Sequence, residues 1–535
     1  MQNSQELIEL GPLVLIGQPG SVRLLVCPSA LPACGHLGDH SSTVMYAKVP
    51  SLDARAKRAQ ALRNRDARLL ANRDNINLED VAQVFVGNVL TCVDDETLPR
   101  KATLFPHQVL AVDRRGYIVY RDAQSTSTSQ KLLQLADVKI TKLPDDAWLM
   151  SGFVDTHIHA PQYLNAGTAL DRPLEQWLVE YTYKAETRID RDPKGLGRRV
   201  YAKLVSRMIE QGTTLASTFG TLTAEANWEL ARQFHEQGAR AHIGKVMMDR
   251  HGVDGYVETL EGSLKETTKF INGWPTRFGD DDDLLVEPVL TPRFEPTCTS
   301  ELLSEVQRIS NETGIRIQSH MCESAGQVAW SKQLLSGKTD VSEFNELGLL
   351  KEGCLMAHCT HADFDDLDLL ARTGASISHC PLSNVYFSAE SQLALREALQ
   401  KGVAVGIGSD ISGGYALGID NSMRWAVGVS RLREGQRDSD EPASLAITWD
   451  ESLYLATLGG AKAMTMDHVT GSLEVGKSFD AQLIRLGRPR SRIDIFDEIG
   501  SVQIEELVEK WWCNGTEADR EAVWVKGRQI FDSRA

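Results

Sequence analysis

Apolar residues fall in short blocks along most of this chain, and stretches of helical length with mixed polarity separate them. The run 148–154, broken only by Ser151 and Gly152, reads as a buried parallel strand. Comparable runs recur at 213–219, 241–248, 284–290, 315–319, 354–358, 375–379 and 403–409. Most gaps between them hold an amphipathic segment, for example 198–211 or 228–237. Eight β units alternating with helices predict an α/β fold, a (β/α)8 barrel over 148–470.

The flanks have a different texture. Short β-like runs with turn signals occupy 81–90, 107–112 and 116–120, and the pattern resumes at 471–486 and 522–531. A small β-sandwich domain built from both ends of the chain, 81–147 and 471–535, is the expected architecture. Residues 1–80 form an extension of another kind. Gly, Pro, Cys and His are mixed without a clear period to Pro50, and 51–72, rich in Ala, Leu and Arg, predicts a helix with a basic, solvated face.

Composition narrows the partners. A length of 535 residues suits a large domain with a satellite. A formal net charge of −16 and a pI near 5.4 argue against non-specific binding to nucleic acid or anionic membranes. No apolar segment reaches membrane-spanning length. Nine cysteines without a framework pattern read as reduced thiols, which fits a cytoplasmic protein.

The candidate chemistry sits at the ends of the predicted strands. Phe153-Val154-Asp155-Thr156-His157-Ile158-His159 closes the first run with two histidines one residue apart. Strand side chains alternate faces, so His157 and His159 point the same way and can hold one metal ion. The fifth run ends in His320-Met321-Cys322-Glu323, the sixth in His358 and the eighth in Ser409-Asp410. Three imidazoles (His157, His159, His320) and the Asp410 carboxylate make a first shell suited to zinc, with a position left for water. Glu323 can carry a proton, and His358 can either ligate or hydrogen-bond the activated water. Singly, His320 and His358 read as core histidines, Asp410 as a turn cap, and His361 and His379 as structural residues. The joint occurrence of His157, His159, His320, His358 and Asp410 at the strand ends of one barrel points to a metal-dependent hydrolytic site.

Several stretches resemble the amidohydrolase superfamily and, within it, the guanine deaminases of the eukaryotic type. The His-x-His and Gly408-Ser409-Asp410 mark the superfamily. Ala160-Pro161-Gln162 and Thr291-Pro292-Arg293-Phe294 narrow it, supported by Pro173-Leu174-Glu175-Gln176-Trp177-Leu178, His320-Met321-Cys322-Glu323 and His379-Cys380-Pro381. The likeness covers roughly 81–535, and Tyr183-Lys184 departs from it where the family has Phe-Pro.

The resemblance implies hydrolysis of guanine to xanthine and ammonia by a homodimer carrying one zinc ion per chain. The ion would rest on His157, His159, His320 and Asp410. Gln162, Arg293 and Phe294 would line the purine pocket, and His320, Glu323 and Asp410 would also touch the base. Catalytic roles would fall to Glu323, His358 and Asp410. Arg293 and Gln162 offer donors and acceptors for a purine edge, and Phe294 a stacking surface. Two alternatives share the barrel: a deaminase of another heterocycle, and a non-catalytic scaffold, which would be expected to lack the ligands. The cytidine-deaminase fold needs H-x-E with P-C-x-x-C, and neither occurs here.

Overall fold

The structure, a computed structural model, describes residues 76–93, 100–279, 284–437, 444–496 and 502–534, with three short strands nearer the amino terminus. The basic helix expected at 51–72 lies outside the described residues. Eight parallel strands form the barrel: β1 (Phe153–His159), β2 (Thr213–Phe219), β3 (Arg240–Met247), β4 (Val286–Pro292), β5 (Ile317–Met321), β6 (Cys354–His358), β7 (Ser376–His379) and β8 (Val405–Ile407). They bond in chain order. The ring closes just past β8, where Asp410 N donates to His157 O and His159 N to Ile411 O, both at 2.8 Å.

Every residue of β1, β2 and β3 is buried, as strands covered on both faces must be. The covering helices carry the matching stripe. Helix Arg198–Glu210 buries Val200, Tyr201, Leu204, Val205, Met208 and Ile209, which return to one face every three or four residues. Helix Ser300–Thr313 starts where the Thr299 side chain accepts from Leu302 N, and stops at Gly314 in the left-handed conformation.

The apolar run at 148–154 is two strands rather than the single parallel strand its pattern predicts. Ala147–Ser151 pairs antiparallel with Ala481–Arg485 and parallel with Val81–Thr91, all in a second sheet, and β1 begins only at Phe153. Gly152 lies between them because a Cβ there would fall 2.1 Å from Thr214 Oγ1.

The second sheet runs in the order Arg528–Asp532, Arg520–Val525, Ala481–Arg485, Ala147–Ser151, Val81–Thr91, Thr103–Asp113 and Ile118–Ala123. Both ends of the chain therefore build it. Strand Val81–Thr91 changes partner at Gly87 (φ 150°): Gln83 to Val86 pair with Lys139–Lys142, and Asn88 to Leu90 with Ala147–Ser151. The two halves of the sheet share a core that includes Phe85, Val89, Leu110, Leu149, Phe479 and Trp524.

Buried contacts tie this sheet to the barrel. Arg240, at the start of β3, donates from Nε to Asp480 Oδ2 at 2.7 Å and from Nη2 to Ser478 Oγ at 3.0 Å. Trp511 lies edge-on to Trp148 and stacks on Phe153 of β1. Nearer the amino terminus, Glu9–Leu10, Leu13–Gln18 and Ser21–Val26 form an antiparallel sheet in a segment whose sequence shows no clear period. Among the described residues, the seven cysteines are free and no helix is long and apolar enough to cross a membrane.

Candidate active site

Period-two alternation brings His157 and His159 off β1 onto one side, their ring centroids 4.9 Å apart. His320, near the end of β5, reaches the same point: its ring is 4.9 Å from His157 and 5.0 Å from His159. His159 Nε2 and His320 Nε2 face each other at 2.9 Å. Asp410 Oδ1 stands 3.3 Å from His157 Nε2 and 3.6 Å from His159 Nε2. His157 Nε2 is buried and has no hydrogen-bond partner.

Two facing imidazole nitrogens, a buried nitrogen without a partner and a carboxylate form a donor set that one divalent cation satisfies, so these residues fit zinc. Burial holds all three imidazoles well below their usual pKa, in the neutral form that binds metal. His320 Nδ1 donates to Arg293 O at 2.6 Å, which leaves its Nε2 lone pair directed into the cluster.

The backbone around the cluster is held tightly. Asp155 accepts from His157 N and from both Ser409 N and Ser409 Oγ, so it pins β1 to the segment that carries Asp410. His358 and Asp410, with the neighbouring Cys322 and Cys359, hold left-handed backbone at or just past the strand ends. Such conformations in non-glycine residues are sparse in proteins and gather at functional sites.

His358 Nε2 lies 3.6 Å from Glu323 Oε1 and 3.9 Å from Asp410 Oδ2. Its Nδ1 donates to Asn384 Oδ1 at 2.9 Å, so in the neutral ring Nε2 carries a lone pair rather than a proton. Glu323 receives Gln327 through its backbone: Glu323 N donates to Gln327 Oε1 at 2.7 Å. Burial, followed by the neighbouring Asp410 carboxylate, pushes the Glu323 carboxyl up to about 8.

A pocket opens beside this cluster. It is lined by the polar residues His159, Gln162, Arg293, His320, Glu323 and Asp410 and by the apolar side chains of Leu174, Trp177, Leu178, Phe294 and Phe387. Arg293 does not stand alone. It donates from Nη1 and Nη2 to Glu186 at 2.7 and 3.1 Å, and its guanidinium lies 5.0 Å from the Tyr183 ring centroid. Tyr183 and Lys184, the departure from the family pattern, lie in continuous helix: the turn Leu178–Thr182 runs straight into Tyr183–Arg191.

All of the residues singled out at strand ends thus meet in one place. His361 and His379 do not join them. His361 Nε2 bonds to Ser388 Oγ at 2.9 Å, and burial lowers His379 to about 3. Sequence reasoning missed Asp155, Glu186, Tyr256 and Asn384, whose partners lie far along the chain. It also assigned no role to Cys380, whose sulfur is close to His157 and His358 ring nitrogens. Burial keeps that thiol well above its usual pKa, hence neutral and a weak ligand.

A model of the amidohydrolase family matches residues 148–530. The guanine deaminase of Dictyostelium discoideum is 34% identical over 467 residues, covering 84% of this chain and 98% of its own. That of Homo sapiens is 34% identical over 429 residues, 79% of this chain and 91% of its own. Among solved structures, guanine deaminase from C. acetobutylicum with guanine bound in the active site aligns with a TM-score of 0.73 and 26% identity, covering 84% of this chain and 100% of the other. The chain belongs to the amidohydrolase family, in the branch that holds these guanine deaminases.

Proposed function

We propose that this enzyme hydrolyses guanine to xanthine and ammonia, with one zinc ion per chain held by His157, His159, His320 and Asp410. The observation that carries the reading is the junction of two sets. Gln162, Arg293 and Phe294, a set suited to a purine, line one pocket with His159, His320 and Asp410 of the imidazole–carboxylate cluster, at the same end of the barrel. The guanine deaminase relatives support the substrate. The homodimer implied by the resemblance belongs to the same proposal.

When bound, zinc would supply Lewis-acid activation of a water at neutral pH. The protein does the rest. Arg293 and Gln162 hold the ring edge, and Phe294 packs on its face. Glu323, kept protonated by burial, gives its proton to a ring nitrogen, which makes the neighbouring carbon electrophilic. Asp410 accepts the proton that the attacking water gives up. His358 Nε2, 3.6 Å from Glu323 Oε1 and 3.9 Å from Asp410 Oδ2, takes the second proton of the attacking water and, as an imidazolium, stabilises the developing oxyanion. Asp410 hands its proton to the departing amino group, so that ammonia leaves as the C–N bond breaks, and His358 returns its proton to Glu323, which restores each group to its starting state.

The test is loss of guanine absorbance, with and without a chelator, alongside ammonia release from other bases. Guanine turnover that a chelator abolishes and added zinc restores is the expected result. Faster ammonia release from adenosine, cytosine or an aminotriazine would overturn the substrate. Full activity after verified metal removal would overturn the metal.

A further inference from the structure

We infer that Glu186 is the positioning residue that makes this pocket read a lactam edge, a ring carbonyl beside a ring N–H, by fixing which polar atoms Gln162 and Arg293 present. The inference rests on the function proposed above.

Glu186 is wholly buried, and both of its oxygens are engaged. Oε1 accepts from Gln162 Nε2 at 2.9 Å and from Arg293 Nη2 at 3.1 Å. Oε2 accepts from Arg293 Nη1 at 2.7 Å and from Tyr256 Oη at 2.6 Å. One carboxylate therefore grips both Gln162 and Arg293.

Chemistry then dictates the orientation of each. An ionised carboxylate only accepts hydrogen bonds, so the Gln162 atom facing it must be the amide nitrogen. Gln162 Oε1 is left as the acceptor, with only long contacts to Ser412 N at 3.4 Å and Ser412 Oγ at 3.5 Å. Arg293 spends the two-nitrogen face of its fork on Glu186 and keeps its other N–H groups as donors. The pair thus offers an acceptor and a donor together, the complement of a lactam N–H and C=O. A 6-amino ring presents the opposite order and would set acceptor against acceptor and donor against donor, which a buried polar site rejects strongly. The charges matter as well. Glu186 balances Arg293, so the pocket suits a neutral ring rather than an anion.

In E186Q the side chain at 186 can donate as well as accept. Gln162 is then free to turn, and the Arg293 charge is no longer balanced. Y256F removes one hydrogen bond from Oε2 while keeping both charges, and serves as the milder variant. The experiment uses full-length, zinc-loaded enzyme. Calorimetry measures binding of hypoxanthine, a lactam without the reacting amino group, and of adenine, its 6-amino counterpart. Steady-state kinetics with guanine run alongside.

For the unmodified enzyme we expect hypoxanthine to bind about 100-fold more tightly than adenine. In E186Q that ratio should fall below about 10, with guanine KM raised about 30-fold or more and zinc content unchanged. Y256F should move the ratio and KM the same way by about two- to fivefold, leaving kcat nearly constant. A residue that merely supported the fold would lower the active fraction without changing the ratio. An unchanged ratio in folded E186Q overturns the inference, as does an unchanged ratio in Y256F should E186Q fail to fold. No guanine turnover with a Glu186-dependent lactam preference would sink the proposed reaction alone. Turnover with a preference indifferent to Glu186 would sink this inference alone.

Discussion

Glu323 and the histidines show how burial assigns protonation at the scale of single side chains. The imidazoles lose their protons to desolvation, while the same desolvation keeps a proton on Glu323, and the two groups sit within one cluster. Replacing Glu323 by Gln keeps the shape and removes the transferable proton. We expect E323Q to retain its zinc, measured by atomic absorption, and to turn over guanine about 10²- to 10⁴-fold more slowly. Near-normal turnover would remove Glu323 from proton transfer. The residues at strand ends were legible in the sequence because period two and the strand pattern place them. Their partners were not. Asp155 meets Ser409 across 254 positions, and Glu186 meets Arg293 across 107, distances that no local pattern spans.

Among the elements, the most instructive misreading is the run 148–154. Both halves are fully buried, so hydrophobicity gives the same signal for a strand of the second sheet and for β1. Only Gly152 marks the change, and its reason lies in Thr214 on the neighbouring strand β2. G152A should therefore force Thr214 aside and cost about 1–3 kcal/mol, seen as a lower thermal midpoint. An unaltered midpoint would show that the junction has room. The other barrel strands were readable because each is a bounded apolar block. Strand β8 shows the limit of that reading, since only Val405–Ile407 of the expected 403–409 pairs as strand.

For the molecule as a whole, the barrel and the second sheet share buried charge. Arg240 and Asp480 have side-chain exposures of 2% and 0%. Taking away one partner of such a pair is costly, whereas exchanging both for apolar residues often is not. D480A should lose about 3–5 kcal/mol of stability, and R240M/D480L much less, measured by chemical denaturation. Equal losses would mean that leaving the Arg240 charge without Asp480 adds nothing to the cost. The closure of the ring carries a different consequence. The two amide bonds at the seam come from His159 and Asp410, and the His157 carbonyl receives one of them. The jaws of this latch are thus the very residues assigned to the cation, which would act as its clasp. Hydrogen exchange at the amides of His159 and Asp410 should be slow in zinc-loaded enzyme and speed up selectively once the ion is stripped. Heat inactivation should then begin by unbuttoning this seam, and protection by added zinc should scale with its concentration.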